Sequence, residues 1–536
     1  METPSLSPSS SALTVCVYDA YFSTMGGGEK HMAAIAEFLS RIPSVRVDIV
    51  THAGEVSDLE RLSTKLRVDL SRCRLRFLNE LPCDIETLSE SYDVFINATH
   101  YSSVKPRAKK NVLLCFFPMM PELRKLSRSR LFKHLLRSLD QHDRIQRESG
   151  FYFREKIGKY FSRVFGRWTD QQCSFTVKQP VAGTSARVVV QTLPLRTTAL
   201  SKLIKGVTST NGTVSYRVHN NTILIDYIPE KDSDALTLTV NLKSTFRPRN
   251  TDTRDLGIFV TRIVHRHSGI SIRNLFQATA SRLFESLRYY NYLDSYDVIL
   301  VNSQYTRAWL KKLWDRDAAI VYPSVDVESF TSSPKKKNIL LSVGRFFEGS
   351  HNKKHLMMIR AFKELYLMGR LRGWEYHLCG GTHPEPQHQA YLKRMQLEAI
   401  GYPIYIHADI PATDLLKLYS DAQIFWHAAG YGEDEEREPD KFEHFGITTV
   451  EAMAAGCIPV VIGKAGQLEI VRNDVNGFTW QTPQELQEQT LRVIQLTPQR
   501  KQILSQQAMQ SASQFSREAC EQQIQHALQP LIPNLS

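Results

Sequence analysis

Nowhere in the 536 residues is there an apolar run that could cross a bilayer, which takes about 20 consecutive apolar residues. The opening "METPSLSPSSSALTV" has neither a basic n-region nor an apolar h-region, so it reads as a frayed leader and not as a signal peptide. Export is not expected. The eight cysteines (16, 73, 83, 115, 173, 379, 457 and 520) show no short paired spacing, which speaks against a disulfide framework and against a structural zinc site. Cys16, Cys115, Cys379 and Cys457 sit inside apolar stretches, as buried thiols do in a reducing, cytoplasmic compartment. No Ser-His-Asp, zinc-helix or Walker pattern is present. Helix-turn-helix, ribonucleoprotein and finger motifs are missing too, so nucleic acid is not the expected partner.

What is present is ordinary globular material, 42% hydrophobic and 23% charged, long enough for two to four domains. The formal charge of +12 suits an anionic partner of some kind. It is unevenly spread: residues 121–168 hold thirteen Lys and Arg against five Asp and Glu. That stretch, with "RLFKHLLRSL" and "FYFREKIGKYFSRVFGRW", has helical patterning with basic and aromatic residues interleaved. It fits peripheral docking on an anionic membrane, or equally a helical pair with solvated Lys and Arg.

Period and punctuation predict the architecture. "LTVCVYDAYF" (13–22) is a β-rich run; after it, "STMGGGEKHMAAIAEFLS" places Met32, Ile35, Ala36 and Leu39 at helical spacing. Strand, glycine loop and helix open a Rossmann-like unit. "VRVDIVT" (45–51), "YDVFINAT" (92–99) and "KNVLLCFFP" (110–118) are further strand candidates, and "SYDVILVN" (295–302) echoes "SYDVFINAT". Between these, from about 174 to 245, the period changes to two: Leu236, Leu238, Val240 and Leu242 alternate with Thr237, Thr239 and Asn241. An antiparallel sheet with one wet face is expected there. After the Pro, Ser and Lys-rich linker "VYPSVDVESFTSSPKKKN", a second α/β unit begins with "ILLSVGRF". It continues through "WEYHLCGG", "PIYIHADI", "AQIFWHA" and "CIPVVIG".

The chemistry concentrates in "FEHFGITTVEAMAAGCIPVV" (442–461). With a helix starting near Gly446, Glu443 lies in the loop before it and Glu451 about a turn and a half inside. The amides of Phe445, Gly446 and Ile447 then make an anion site, and Thr448 and Thr449 add hydroxyls. Such a site suits a diphosphate, with carboxylates for neighbouring sugar or ribose hydroxyls; an acidic helix start also simply complements the dipole.

This string resembles the E-x7-E signature of family 4 retaining glycosyltransferases of the GT-B fold, and together with "YPSVDV" it is most similar to the lipid-linked-oligosaccharide mannosyltransferases of that family. The resemblance covers roughly residues 12–120 and 255–500. It implies that Glu443 sits against the transferred sugar and Glu451 on the ribose of a sugar nucleotide. "LSVGRFFEGSHNKKHLMMIRAF" resembles the family's phosphate-holding segment, which assigns that role to Arg345 and Lys353, with Lys354 as a rival. "STMGGGEKH" resembles its opening loop, giving Gly26, Gly27 and Gly28 a place near the donor phosphates. His427 is a further candidate for contact with donor or acceptor. Two departures stand out. Lys464-Ala465 occupies the place of a usual Gly-Gly, and "CFFPMM" offers Phe116 and Phe117 where many relatives carry a histidine, with His100 as a substitute.

The expectation is therefore an α/β protein of two Rossmann-like domains. The first spans 12–120 and 255–325 and carries an insertion at 121–254 of basic helices followed by β-structure. The second spans 335–500, and a closing helical stretch at 501–536 packs back on the first. The expected function is metal-independent and cofactor-free transfer of a hexose, with mannose the guess, from a nucleoside diphosphate sugar to a saccharide or lipid-linked saccharide. A non-catalytic carbohydrate- or nucleotide-binding module is the alternative. The acidic run "GEDEEREPD" (432–440) reads as a solvated charge run or a lid.

Overall fold

The structure is a computed structural model describing residues 12–20, 22, 26–52, 57–78, 84–100, 102–118, 145–157, 164–178, 180–193, 199–246, 256–267, 292–349 and 352–532. The chain divides into two compact units: one of Met1–Thr24, Leu39–Leu113 and Met120–Asp297, the other of Met25–Phe38, Leu114–Met119 and Val298–Ser536.

The first unit opens with β1 (Leu13–Tyr18), β2 (Val45–Thr51), β3 (Arg74–Phe77), β4 (Val94–Asn97) and β5 (Lys110–Cys115), parallel and ordered β5-β4-β1-β2-β3. Val15, Cys16, Val17, Phe95 and Val112 are fully buried, as expected of a parallel sheet covered on both faces.

An antiparallel sheet follows. Its strands are β6 (Ile145–Ile157), β7 (Val164–Lys178), β8 (Ala186–Thr192), β9 (Ile204–Ser209), β10 (Thr213–His219), β11 (Thr222–Ile228), β12 (Ala235–Leu242) and β13 (Phe259–His267). The order is β10-β11-β8-β13-β7-β12-β9, with β6 against β7. The two-residue alternation in β12 is realised in full: Leu236, Leu238, Val240 and Leu242 are at most 1% exposed. The β10–β11 hairpin turns through Asn220, whose φ of 50° asparagine tolerates better than most side chains.

Two expectations fail here. The helices expected across 121–168 give way, at 145–157 and 164–178, to a pair of strands in register from Ile145↔Val177 to Ile157↔Val164. Phe151, Tyr152, Phe153, Val164, Phe165 and Trp168 belong to the residue types that favour a pleated surface, and ladder pairing with β12 and β13 overrides an apparent helical period in a charged segment. The rest of the basic stretch, 121–144 and 158–163, lies outside the described residues. Secondly, β13 was expected with the Rossmann-like strands after 255, yet it pairs antiparallel with β8 and β7. The antiparallel element therefore extends past 254 to His267.

In the second unit β14 (Val298–Val301) pairs in parallel with β15 (Ala319–Ile320). A six-stranded parallel sheet follows, built of β16 (Lys337–Val343), β17 (Glu375–Gly380), β18 (Ile404–Ala408), β19 (Ala422–His427), β20 (Ile458–Ile462) and β21 (Phe478–Trp480). Its order is β18-β17-β16-β19-β20-β21. Helices His355–Leu367, Pro386–Ala399 and Pro483–Gln495 bury one face around Tyr376, Trp426 and Trp480. Ile447–Ala454 and Pro498–Ala512 bury the other around Leu341, Phe425 and Val461. The stretch 501–536 contains the end of Pro498–Ala512 and the helix Arg517–Leu528. From β16 the chain first builds outward to β17 and β18, then returns to the other side as β19. The reversal leaves a switch point between β16 and β19, and ligands of open α/β sheets bind at such points, beyond the carboxyl ends of the strands. Among the described residues no helix is long and apolar enough to cross a membrane.

Deleting a core side chain from the antiparallel sheet should cost far more than altering its wet face. Leu238→Ala is expected to destabilise by about 2–5 kcal/mol, and Asn241→Ala by about 0.5 kcal/mol or less, in urea unfolding followed by circular dichroism. Equal effects would contradict the assignment of faces.

Candidate active site

Three segments meet at the switch point. The loop after β16 carries Gly344, Arg345 and Lys353; β19 ends at His427; and the segment before helix Ile447–Ala454 carries Glu443. The Lys353 ammonium lies 2.5 Å from Glu443 Oε2, and His427 Nε2 lies 2.9 Å from the same oxygen. Gly344 makes room for this: a Cβ there would lie 2.8 Å from Lys353 Cγ.

The electrostatics agree with the contacts. Burial alone would raise the Glu443 pKa, but the Lys353 ammonium and the His427 hydrogen bond overcome it and hold the carboxyl well below its usual range. Burial pulls the His427 imidazole below its ordinary value; Glu443 opposes this and the Lys353 charge reinforces it. His427 is therefore neutral near pH 7, its Nε2–H donating to Glu443, while its buried Nδ1 has no partner among the described residues. Behind Lys353, fully buried His355 has both ring nitrogens unpartnered among the described residues, and burial lowers its pKa to about 3.

The helix Ile447–Ala454 begins without a side-chain cap. Gly446 holds φ at 120°, a backbone region that side-chain-bearing residues rarely adopt, and a Cβ there would lie 2.4 Å from Gln467 Nε2. Its carbonyl accepts from the Thr449 and Val450 amides at 3.0 and 3.2 Å, leaving the amides of Gly446, Ile447 and Thr448 unpaired among the described residues. The Gln467 amide is fully buried, and neither its nitrogen nor its oxygen has a partner among the described residues. A positive helix end, a fixed glycine and an unsatisfied amide form a cradle for an anion.

The other expected residues divide. Glu451 accepts from Tyr419 Oη at 3.0 Å and lies 3.7 Å from Lys30 Nζ. Gly27 packs on the start of the same helix, where a Cβ would lie 3.1 Å from Ile447 Cδ1, and Gly28 lies against the Phe116 ring. Gly26 N donates to Glu29 Oε2 at 2.6 Å, the returning half of a capping box. The Phe445 side chain is core, packed on Tyr322 and Phe515. Thr448 is half-buried; Thr449 is fully buried, its hydroxyl unpartnered among the described residues.

Arg345 does not join the Lys353–Glu443 pair: it is exposed, its guanidinium 5.8 Å from the centre of the Phe347 ring. Lys354 pairs instead with Glu433 at 2.5 Å, and Lys441 reaches the other oxygen of Glu433 at 3.0 Å. The acidic run is thus not wholly solvated, because two ammonium groups hold Glu433 and Lys312 holds Glu436. His100 follows β4 in the first unit. Phe117 is buried and stacks on His444 at 4.3 Å, whereas Phe116 faces Gly28 and, edge-on, buried His31.

Sequence reading missed Lys30, Tyr419 and Gln467. Lys30 stood beside the glycines in "GGGEKH" and was legible; Tyr419 and Gln467 carry no signal without the packing that buries them. Ala465, at the place of a usual glycine, holds φ at 52°, so the turn keeps the left-handed geometry that glycine adopts at no steric cost.

Residues 326–510 match the family model "Glycosyl transferases group 1". That part of the chain is similar to a group 1 glycosyltransferase domain. Among curated proteins, the chain is 29% identical over 238 residues to the Homo sapiens GDP-Man:Man(3)GlcNAc(2)-PP-Dol alpha-1,2-mannosyltransferase, covering 41% of this chain and 46% of that one. It is 30% identical over 208 residues to the Homo sapiens alpha-1,3/1,6-mannosyltransferase ALG2, covering 34% and 46%. The chain spans about half the length of these relatives. Sucrose-phosphate synthase from Thermosynechococcus elongatus superposes with a TM-score of 0.51 at 13% identity, covering 97% of this chain and 99% of that one. HepE of Anabaena, solved with UDP-glucose, gives 0.50 at 11% identity, covering 97% and 100%. The fold is GT-B, as the resemblance of the E-x7-E string implied.

The depressed pKa of Glu443 sets a sign. A carboxyl whose pKa falls on folding stabilises the protein above its unfolded value, 4.5, and loses that contribution as the pH drops through the folded value. The stability gap between the wild type and Glu443→Gln, measured by urea unfolding, should therefore hold from pH 7 to 5 and shrink below about pH 4.5. A gap that widens on acidification would contradict the pairing.

Proposed function

We propose that the protein is a retaining, metal-independent glycosyltransferase that moves a hexose from a nucleoside diphosphate sugar to a saccharide or lipid-linked saccharide. The observation that carries this reading is the Lys353–Glu443–His427 cluster at the switch point, beside the uncapped start of helix Ile447–Ala454.

Each part has a task in that reaction. The amides of Gly446, Ile447 and Thr448 and the Lys353 ammonium take the diphosphate, neutralising charge that builds on it as the glycosidic bond breaks. Arg345 leaves its Phe347 ring to add a guanidinium fork. Lys353 then exchanges one anion for another and frees Glu443 to accept from hydroxyls of the transferred sugar, with neutral His427 orienting the carboxylate. Glu451 and Tyr419 hold the ribose. The acceptor hydroxyl attacks the anomeric carbon on the face from which the phosphate departs, and its proton passes to the leaving phosphate oxygen. Positive side chains and a helix terminus carry the charge that a metal ion would otherwise carry.

The donor proposed is GDP-mannose, since two relatives are named as mannosyltransferases and one of them as GDP-Man-dependent. A lipid-linked acceptor would be met at the cytoplasmic face of a membrane, and the basic stretch 121–168 is the segment proposed to touch it.

Glu443→Gln and Lys353→Ala should each lower turnover of GDP-mannose by on the order of 10²–10³-fold with circular dichroism unchanged. Full transferase activity in either would overturn these roles. GDP binding with no turnover on any saccharide or lipid-linked acceptor would favour a non-catalytic binding module.

A further inference from the structure

The loop after β17 and the first turn of helix Pro386–Ala399 bring His383, Glu385 and His388 together, with their ligand-type atoms all within 4.8 Å of one another. The spacing is that of a metal site, but the protons are arranged otherwise. The Glu348 backbone N–H donates to His388 Nδ1 at 3.0 Å. A backbone amide can only donate, so Nδ1 bears the lone pair and the neutral ring carries its proton on Nε2. That nitrogen faces Glu385 Oε2 at 3.4 Å and lies 3.3 Å from the Gln387 side-chain amide, whose nitrogen donates to the same carboxylate oxygen. A metal at Nε2 would need this proton removed while Nδ1 still accepts, which leaves an imidazolate.

His388 is buried, at 1% exposure, and its ring stacks on Phe347 at 3.8 Å with 25° between planes. One imidazole on helix Pro386–Ala399 therefore grips two consecutive residues of the loop after β16, Phe347 by its face and Glu348 by its amide. Asn352 Nδ2 donates to the Phe347 carbonyl at 2.8 Å and closes the loop from its far end, and Arg394 pairs with the Glu348 carboxylate. The Phe347 ring held in this way is the surface on which the Arg345 guanidinium rests.

We infer that His388 is a positioning residue for Arg345: through Phe347 and the Glu348 amide it fixes the loop that aims the guanidinium at the donor phosphates. This rests on the proposed role of Arg345, and two readouts separate the claims. The first is hydrogen exchange of the 345–349 segment in the full chain, which reads the loop alone. The second is calorimetric titration with GDP, which reads the phosphate contact.

His388→Leu should speed exchange in 345–349 and weaken GDP by about tenfold, the scale of one hydrogen bond to a charged group. His388→Asn, whose Oδ1 stands where Nδ1 accepted, should recover most of both. In an Arg345→Ala background, His388→Leu should weaken GDP no further, because the two changes remove the same contact. Multiplicative losses in the double variant, or unchanged exchange in His388→Leu, would overturn the inference. If Arg345→Ala binds GDP as the wild type does, the phosphate role of Arg345 fails, and the positioning of that side chain for donor phosphates falls with it even if the exchange result stands. Zinc that raises the melting temperature of the wild type but not of His383→Ala would overturn the proton assignment.

Discussion

Where the sheet order reverses between β16 and β19, an ammonium and a carboxylate meet at 2.5 Å. Neither is comfortable there alone. Removing one partner of a buried pair costs about 3–5 kcal/mol, because the charge left behind has lost its solvent and its counterion; here each side chain keeps about a fifth of its surface, at 24% and 18%, so solvent softens the penalty. The pair holds two loops from opposite sides of the switch point in fixed relation. The β16 loop can approach because Gly344 has no side chain, and the Glu443 loop is anchored from behind where Gly466 N donates to the Glu443 carbonyl at 3.0 Å.

Around this contact the unsatisfied groups have a common explanation. His427 Nδ1, the Gln467 amide, the Thr449 hydroxyl and the first amides of helix Ile447–Ala454 surround the same loop, and buried polar groups without partners are rare in folded proteins. Several such groups in one place, unpartnered among the described residues, support the proposed binding of a ligand that brings its own oxygens. In the proposed reaction the Lys353–Glu443 pair is an internal stand-in, an anion for the lysine and a cation for the carboxylate, which phosphate and sugar hydroxyls would replace.

Much of this was legible in the chain itself. The parallel strands announced themselves as short β-branched runs between helical periods, and β2 falls on the expected 45–51. The helix start at Gly446 and the strand end at His427 followed from a glycine and from the polar loop between them. Three kinds of feature were not legible. Strands β6 and β7 lay under an apparent helical period in a basic segment, and only their long-range partners make them strands. The direction of a side chain is set by neighbours far away in sequence, so the placing of Arg345 on Phe347 and of Lys354 on Glu433 was not legible. Buried polar groups such as Gln467 give no periodic signal at all.

A crystal of the full chain soaked with GDP tests the central claim most directly. The expected result is the β-phosphate within hydrogen-bond distance of the Gly446, Ile447 and Thr448 amides, Lys353 turned from Glu443 to that phosphate, and the ribose hydroxyls on Glu451. A nucleotide seated elsewhere, with the Lys353–Glu443 pair intact and those amides untouched, would contradict it.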